Sequence, residues 1–113
     1  MYESVRGRAR RVLVVGAAAG SAGVSPEEAL APDGLLIVME NDVDRAAQLR
    51  VRLSSDGLGE RATVIGGDPR RMLYKLAGPF DVIFCSPVYS TSARPMLEKL
   101  LAPEGVLITN DDA

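Results

Sequence analysis

The stretch Arg11–Gly23, RVLVVGAAAGSAG, followed by LLIVMEND at Leu35–Asp42, constrains this chain more than any other. An aliphatic run rich in valine stops at Gly16, and small residues fill every position through Gly23. A second apolar run, beginning at Leu35, ends in Glu40. Continuous apolar runs without polar alternation read as parallel strands covered on both faces. Gly16 allows a tight turn, and the small side chains beyond it let a ligand approach the main chain closely. An acidic residue at the tip of the next strand, spaced from the glycine turn as Glu40 is from Gly20, can accept hydrogen bonds from ribose hydroxyls. This is how a chain builds a nucleotide-type cofactor cradle from backbone.

The rest of the sequence repeats the alternation. Ser25–Ala31, SPEEALA, reads as a short helix with Ser25 as N-cap, Pro26 at the first helical position and Glu28 completing a capping box. Pro32-Asp33-Gly34 reads as a turn. Leu35–Glu40 is the second strand. Asn41 or Asp42 caps a helix running to about Ser55, with Val43, Ala46, Ala47, Leu49 and Leu53 on its apolar face. Ala62–Ile65 is a third strand. Asp68 and Pro69 open a third helix, whose Met72, Leu73 and Leu76 face inward. Phe80–Cys85 is a fourth strand and Ser86–Ser90 a loop. Pro95 sets the start of a fourth helix over about Ala93–Leu101. After a turn at Ala102–Gly105, Val106–Thr109 is a fifth strand. The expected fold is one α/β domain over residues 1–113. Its sheet is doubly wound, mainly parallel and five-stranded, with helices on both faces and no internal repeat.

Composition narrows the function. The net charge of −2 argues against a nucleic-acid partner, and Arg6, Arg8, Arg10 and Arg11 read as a solvated arm. Cys85 is the single cysteine, so no intrachain disulfide forms; with no apolar segment in MYESVRGRARR, the expected location is cytoplasmic. No apolar run approaches the roughly 20 residues of a membrane helix. The chain has no histidine, which removes the commonest general base and metal ligand.

Four ordered blocks resemble the class I, Rossmann-like S-adenosylmethionine-dependent methyltransferases. VLVVGAAAG is similar to the glycine-rich first motif, IVMEND to the acidic end of the second strand, and VIGGDP to the block whose Asp faces the adenine. PFDVIF and LLAPEGVLITND are most similar to the caffeoyl-CoA-type O-methyltransferases. The resemblance implies S-adenosylmethionine as cofactor, held by Gly16, Ala17, Ala18, Gly20, Glu40, Asn41, Asp68, Pro69 and Ser86. It implies Ser86 and Tyr89 nearest the transferred methyl, and a small molecule as acceptor. The alternative reading of Glu40 and Asp68 is as helix caps. Ala18 replaces the middle glycine of the motif, and Val14 stands where the motif has an acid. A nicotinamide site is the competitor, but its G-x-G-x-x-G would place Ala18 and Ser21 at glycine positions.

Methyl transfer from a sulfonium is an in-line displacement, to which an enzyme contributes mainly alignment. The caffeoyl-CoA-type family adds a divalent metal, bound by an Asp after the fourth strand and an Asp-Asn pair after the fifth. Here those positions read Ser86 and Asn110-Asp111, so no metal site is expected. Ser86-Pro87-Val88-Tyr89 partly resembles the D/N-P-P-Y loop of amine and RNA-base methyltransferases. Two alternatives therefore stand beside small-molecule O-methyl transfer. One is a non-catalytic relic or binding module; the other is an RNA or amine methyltransferase that needs a partner subunit. In the family's strand order the fifth strand is an edge, with Val106, Leu107 and Ile108 exposed, which predicts a homodimer.

Overall fold

The computed structural model describes residues 5–16 and 26–109. Five strands form one sheet in the order β3-β2-β1-β4-β5, and every neighbouring pair is parallel. In chain order the elements are β1 (Ala9–Val15), α1 (Pro26–Ala29), β2 (Leu30–Glu40), α2 (Val43–Ser55), β3 (Ala62–Gly66) and α3 (Pro69–Met72). A 3₁₀ turn (Leu73–Lys75), β4 (Phe80–Cys85), α4 (Pro87–Leu100) and β5 (Leu101–Thr109) complete it. The order reverses between β1 and β4, which creates a crevice at the carboxyl ends of those strands.

Alternate residues of each inner strand face opposite layers. Val12, Val14, Leu36, Val38, Val82 and Phe84 pack with Ala29 of α1 and Leu53 of α2. Leu13, Val15, Met39, Ile83 and Cys85 pack with Leu73, Tyr89, Ala93 and Leu97 on the other face. Both faces of the central strands are dry, which is why their sequences show no polar alternation.

The structure departs from the sequence expectations in four places. The helix α4 begins at Pro87, not near Ala93, and Pro95 lies inside it. Ser86 caps it and Pro87 takes the first helical position, a favourable pair. Burial of Tyr89, Ala93, Leu97 and Leu100 along one face outweighs the one hydrogen bond that Pro95 removes on the exposed side. In α2, Val43 (78% exposed) and Ala47 lie on the solvent flank, and the buried face is Ala46 and Leu53 with Leu49 half-buried. The third helix is one α-turn continued as 3₁₀. The expected Ser25 cap lies outside the described residues, as do Ala17, Ala18 and Gly20 and the acidic terminus Asn110–Asp112.

The fourth departure is an internal repeat. Leu30–Val38, LAPDGLLIV, matches Leu101–Thr109, LAPEGVLIT, except at Asp33/Glu104, Leu35/Val106 and Val38/Thr109. The turns expected at Pro32–Gly34 and Ala102–Gly105 are excursions within β2 and β5. In the first, Ala9 pairs with Leu30 and Arg11 with Leu35; in the second, Phe80 pairs with Leu101 and Val82 with Val106. The strand partners Ala9 and Phe80 are separated in sequence by the same interval as Leu30 and Leu101. Each glycine that ends an excursion is crowded in the same way. A Cβ on Gly34 would lie 2.6 Å from the Ala9 carbonyl oxygen, and one on Gly105 would lie 2.9 Å from that of Phe80. The two halves of the sheet flanking the crevice are built on one pattern.

Candidate functional site at the carboxyl ends of the strands

The expected site residues within the described chain converge on the carboxyl ends of β1, β2, β3 and β4. Gly16 ends β1 with φ +89°, a conformation that suits glycine, and its N–H donates to the Met39 carbonyl at 2.8 Å. The Ser86 N–H donates to the Val15 carbonyl at 2.9 Å, which ties the tip of β4 to that of β1. A Cβ on Gly16 would stand 2.9 Å from the Ser86 Cβ and 3.4 Å from the Tyr89 ring. A glycine is therefore required sterically as well as conformationally.

Glu40 is the most deeply buried carboxylate at these tips, only 4% exposed. Its Oε2 accepts the Asp42 N–H at 2.7 Å, and its carbonyl accepts the Gly67 N–H at 3.1 Å. The first bond orients the carboxylate; the second fixes the distance between the tips of β2 and β3. Asp42, and not Asn41, caps α2: its Oδ1 accepts the N–H groups of Asp44 at 2.9 Å and Arg45 at 3.2 Å. Asn41 is exposed beside it.

Asp68 caps α3 by accepting the Arg70 N–H at 3.0 Å, and Pro69 follows, buried. The same carboxylate is gripped by the Arg70 guanidinium through Nε to Oδ1 and Nη2 to Oδ2, each at 3.1 Å. These bonds hold the Asp68 carboxyl below its ordinary pKa and raise that of Arg70. The guanidinium carbon lies 6.0 Å from the centre of the Tyr89 ring. Arg70 thus spans from the β3 tip to α4. Asp-Pro-Arg at a helix start is its signal in the sequence, but sequence reasoning takes only the Asp and the Pro into the site.

Ser86 is 6% exposed and its hydroxyl accepts the Val88 N–H at 3.4 Å, the helix-capping role. Tyr89 is 8% exposed and lies on the first turn of α4, between Gly16 and Arg70. Among the described residues no group of three His, Cys, Asp or Glu is placed to hold a metal.

A five-stranded parallel sheet with this order, a glycine turn after β1 and a buried acid after β2 define an α/β domain of the Rossmann-like, class I methyltransferase kind. The chain is similar to O-methyltransferases of that class. The catechol O-methyltransferase of Mycobacterium tuberculosis is 33% identical over 78 residues, 68% of this chain and 36% of the relative. The O-methyltransferase TomG from Streptomyces achromogenes, solved with S-adenosylmethionine, is 25% identical with a TM-score of 0.80, covering 96% of this chain and 52% of its own. An O-methyltransferase from Bacillus cereus, solved with S-adenosylhomocysteine, shares the fold at 23% identity and a TM-score of 0.77, covering 89% of this chain and 49% of its own. The chain spans about half the length of these structures and about a third of the curated relative. No protein-family model matches it.

Proposed function

We propose that this chain binds S-adenosylmethionine at the tips of β1–β4 and serves O-methyl transfer to a small molecule. The observation that carries the reading is the pairing of Gly16 with Glu40. Gly16 ends β1 in a positive-φ turn, and one strand away Glu40 presents a buried, oriented carboxylate. Glu40 suits a ribose diol, because a carboxylate offers acceptors to both hydroxyls. The cofactor, when bound, supplies an electrophilic methyl on a sulfonium. The tips of β1 and β4 set the direction from which an acceptor approaches. Tyr89 and Ser86 stand at that point, held against Gly16.

Binding is tested by calorimetry with S-adenosylhomocysteine, using NAD as control. Micromolar binding of the first alone supports the reading, and Glu40→Gln should weaken it roughly tenfold or more, the cost of losing a charge-assisted hydrogen bond. Binding of neither compound favours the non-catalytic alternative.

We also propose that the chain forms homodimers through the outer edge of β5, where Val106, Leu107 and Ile108 are half-buried. Its sequence repeats that of β2, whose outer edge receives β3 from Leu36 to Glu40. Light scattering at micromolar concentration should report a dimer, and Leu107→Lys should give a monomer. A monomeric wild type overturns this. The described residues contain no helix long and apolar enough to cross a membrane. We place the chain in the cytoplasm on its single, buried free cysteine.

A further inference from the structure

We propose that Arg70 selects the acceptor: its guanidinium receives a carboxylate or other oxyanion carried by the small molecule that lies against Tyr89. The proposal rests on the methyltransferase reading and adds the charge of the substrate to it.

Three observations carry it. First, Arg70 uses only part of its donor set. Asp68 takes Nε and Nη2, leaving the Nη1 side with no protein partner among the described residues. A guanidinium offers five N–H donors in a planar fork, so a second oxyanion can bind while Asp68 stays in place. Second, the arginine is held beside Tyr89, the residue expected nearest the transferred methyl. It stands 6.0 Å from the Tyr89 ring, and that ring lies against Gly16 at the head of the crevice. The side chain of Arg70 is 59% exposed, open to a ligand while anchored by Asp68. Third, the free charges on its own stretch of chain are positive. Arg71 and Lys75 add exposed positive charge along α3 and the 3₁₀ turn, while Asp68 and Arg70 offset each other. The uncompensated charge of that stretch is positive, which favours an anionic ligand.

The test compares 3,4-dihydroxybenzoate with catechol, which differ by one carboxylate. Each is titrated calorimetrically into the wild type, Arg70→Gln and Arg70→Lys, with and without saturating S-adenosylhomocysteine. The wild type should bind the acid about tenfold or more tighter than catechol, as expected of a charge-assisted pair. Arg70→Gln should abolish that preference, its affinity for the acid falling about tenfold or more beyond any fall in its affinity for catechol or S-adenosylhomocysteine. Arg70→Lys should restore part of it, because lysine keeps the charge but loses the fork. Equal binding of acid and catechol by the wild type overturns the proposal. So does a loss in Arg70→Gln that falls equally on S-adenosylhomocysteine, since Arg70 would then act only by holding Asp68. Failure of the methyltransferase reading shows separately, as wild-type protein that binds no S-adenosylhomocysteine. The titration without that compound still decides whether the acid is preferred.

Discussion

Gly16 and Ser86 approach so closely that a Cβ on the glycine would lie 2.9 Å from the serine Cβ. This contact closes the base of the crevice between β1 and β4. It is fixed by the Ser86 N–H bonded to the Val15 carbonyl and by the Gly16 N–H bonded to Met39. At Gly16 the crevice floor therefore has no slack for a further side chain.

Gly16→Ala should accordingly cost stability and ligand binding together. The φ of +89° strains any residue with a Cβ, and the added methyl must push β4 away. We expect a loss of about 2 kcal/mol or more, read by denaturant melting, since strain and overpacking each contribute roughly 1 kcal/mol or more. S-adenosylhomocysteine affinity should fall with it. A variant of native stability and affinity would mean that the tips of β1 and β4 move apart freely.

The repeated excursions in β2 and β5 predict matched effects at distant positions. Gly34→Ala drives a methyl to within 2.6 Å of the Ala9 oxygen, and Gly105→Ala to within 2.9 Å of the Phe80 oxygen. Each obstructing atom is backbone, so neither can swing aside. Each substitution should destabilise by about 1–3 kcal/mol, the range for overpacking, as read by thermal and denaturant unfolding. A large cost at one glycine with none at the other would show that the two halves are alike in sequence only.

The sheet is legible in the sequence because its strands are apolar runs with punctuation. The span of β4 can be read to the residue, and β1 and β3 nearly so. Strand order and the tip positions of Gly16, Glu40, Asp68 and Ser86 follow from the resemblance. What misleads is local chemistry overridden by packing. Pro95 reads as a helix boundary until the burial of Tyr89 and Ala93 is known. Pro32-Asp33-Gly34 reads as a turn between elements, and only the pairing of Leu30 with Ala9 makes it an excursion within a strand. The repeat itself is present in the sequence, its two copies lying near opposite ends of the chain, and a search for self-similarity at long separation finds it. Arg70 is illegible for another reason. Its role depends on Tyr89, which is distant in sequence and is brought to it by packing between α3 and α4.

Asp81 has a definable structural task. Its Oδ2 accepts the main-chain N–H groups of Arg10 at 2.8 Å and Arg11 at 3.3 Å, where the excursion in β2 interrupts the ladder with β1. Asp81→Ala leaves both donors to water or to nothing, and should cost about 1 kcal/mol, the lower part of the range because the site is partly solvated. Asp81→Asn keeps an acceptor oxygen and should recover much of that. Amide hydrogen exchange at Arg10 and Arg11 checks the mechanism. It should accelerate in the alanine variant and stay near wild type in the asparagine variant.

Asp68 and Arg70 make a pH prediction with a definite sign. The guanidinium and the Arg70 N–H both favour the charged carboxylate, so the native Asp68 pKa lies below that of the unfolded chain. A depressed carboxyl binds its proton more weakly when folded. Its contribution to stability is thus fully present above the unfolded value, roughly 3.9, and is lost as pH falls through the lower native one. Across neutral pH the cap on α3 should be insensitive to pH. In an NMR titration of side-chain carboxyl carbons, Asp68 should be among the last to protonate on acidification. Arg70→Gln removes the principal cause, since the fork is lost while the backbone cap remains, and the Asp68 midpoint should rise toward the ordinary range. An unchanged midpoint would show that the cap alone lowers the pKa and that the fork is not populated in solution. It would also remove the anchor that holds Arg70 beside Tyr89.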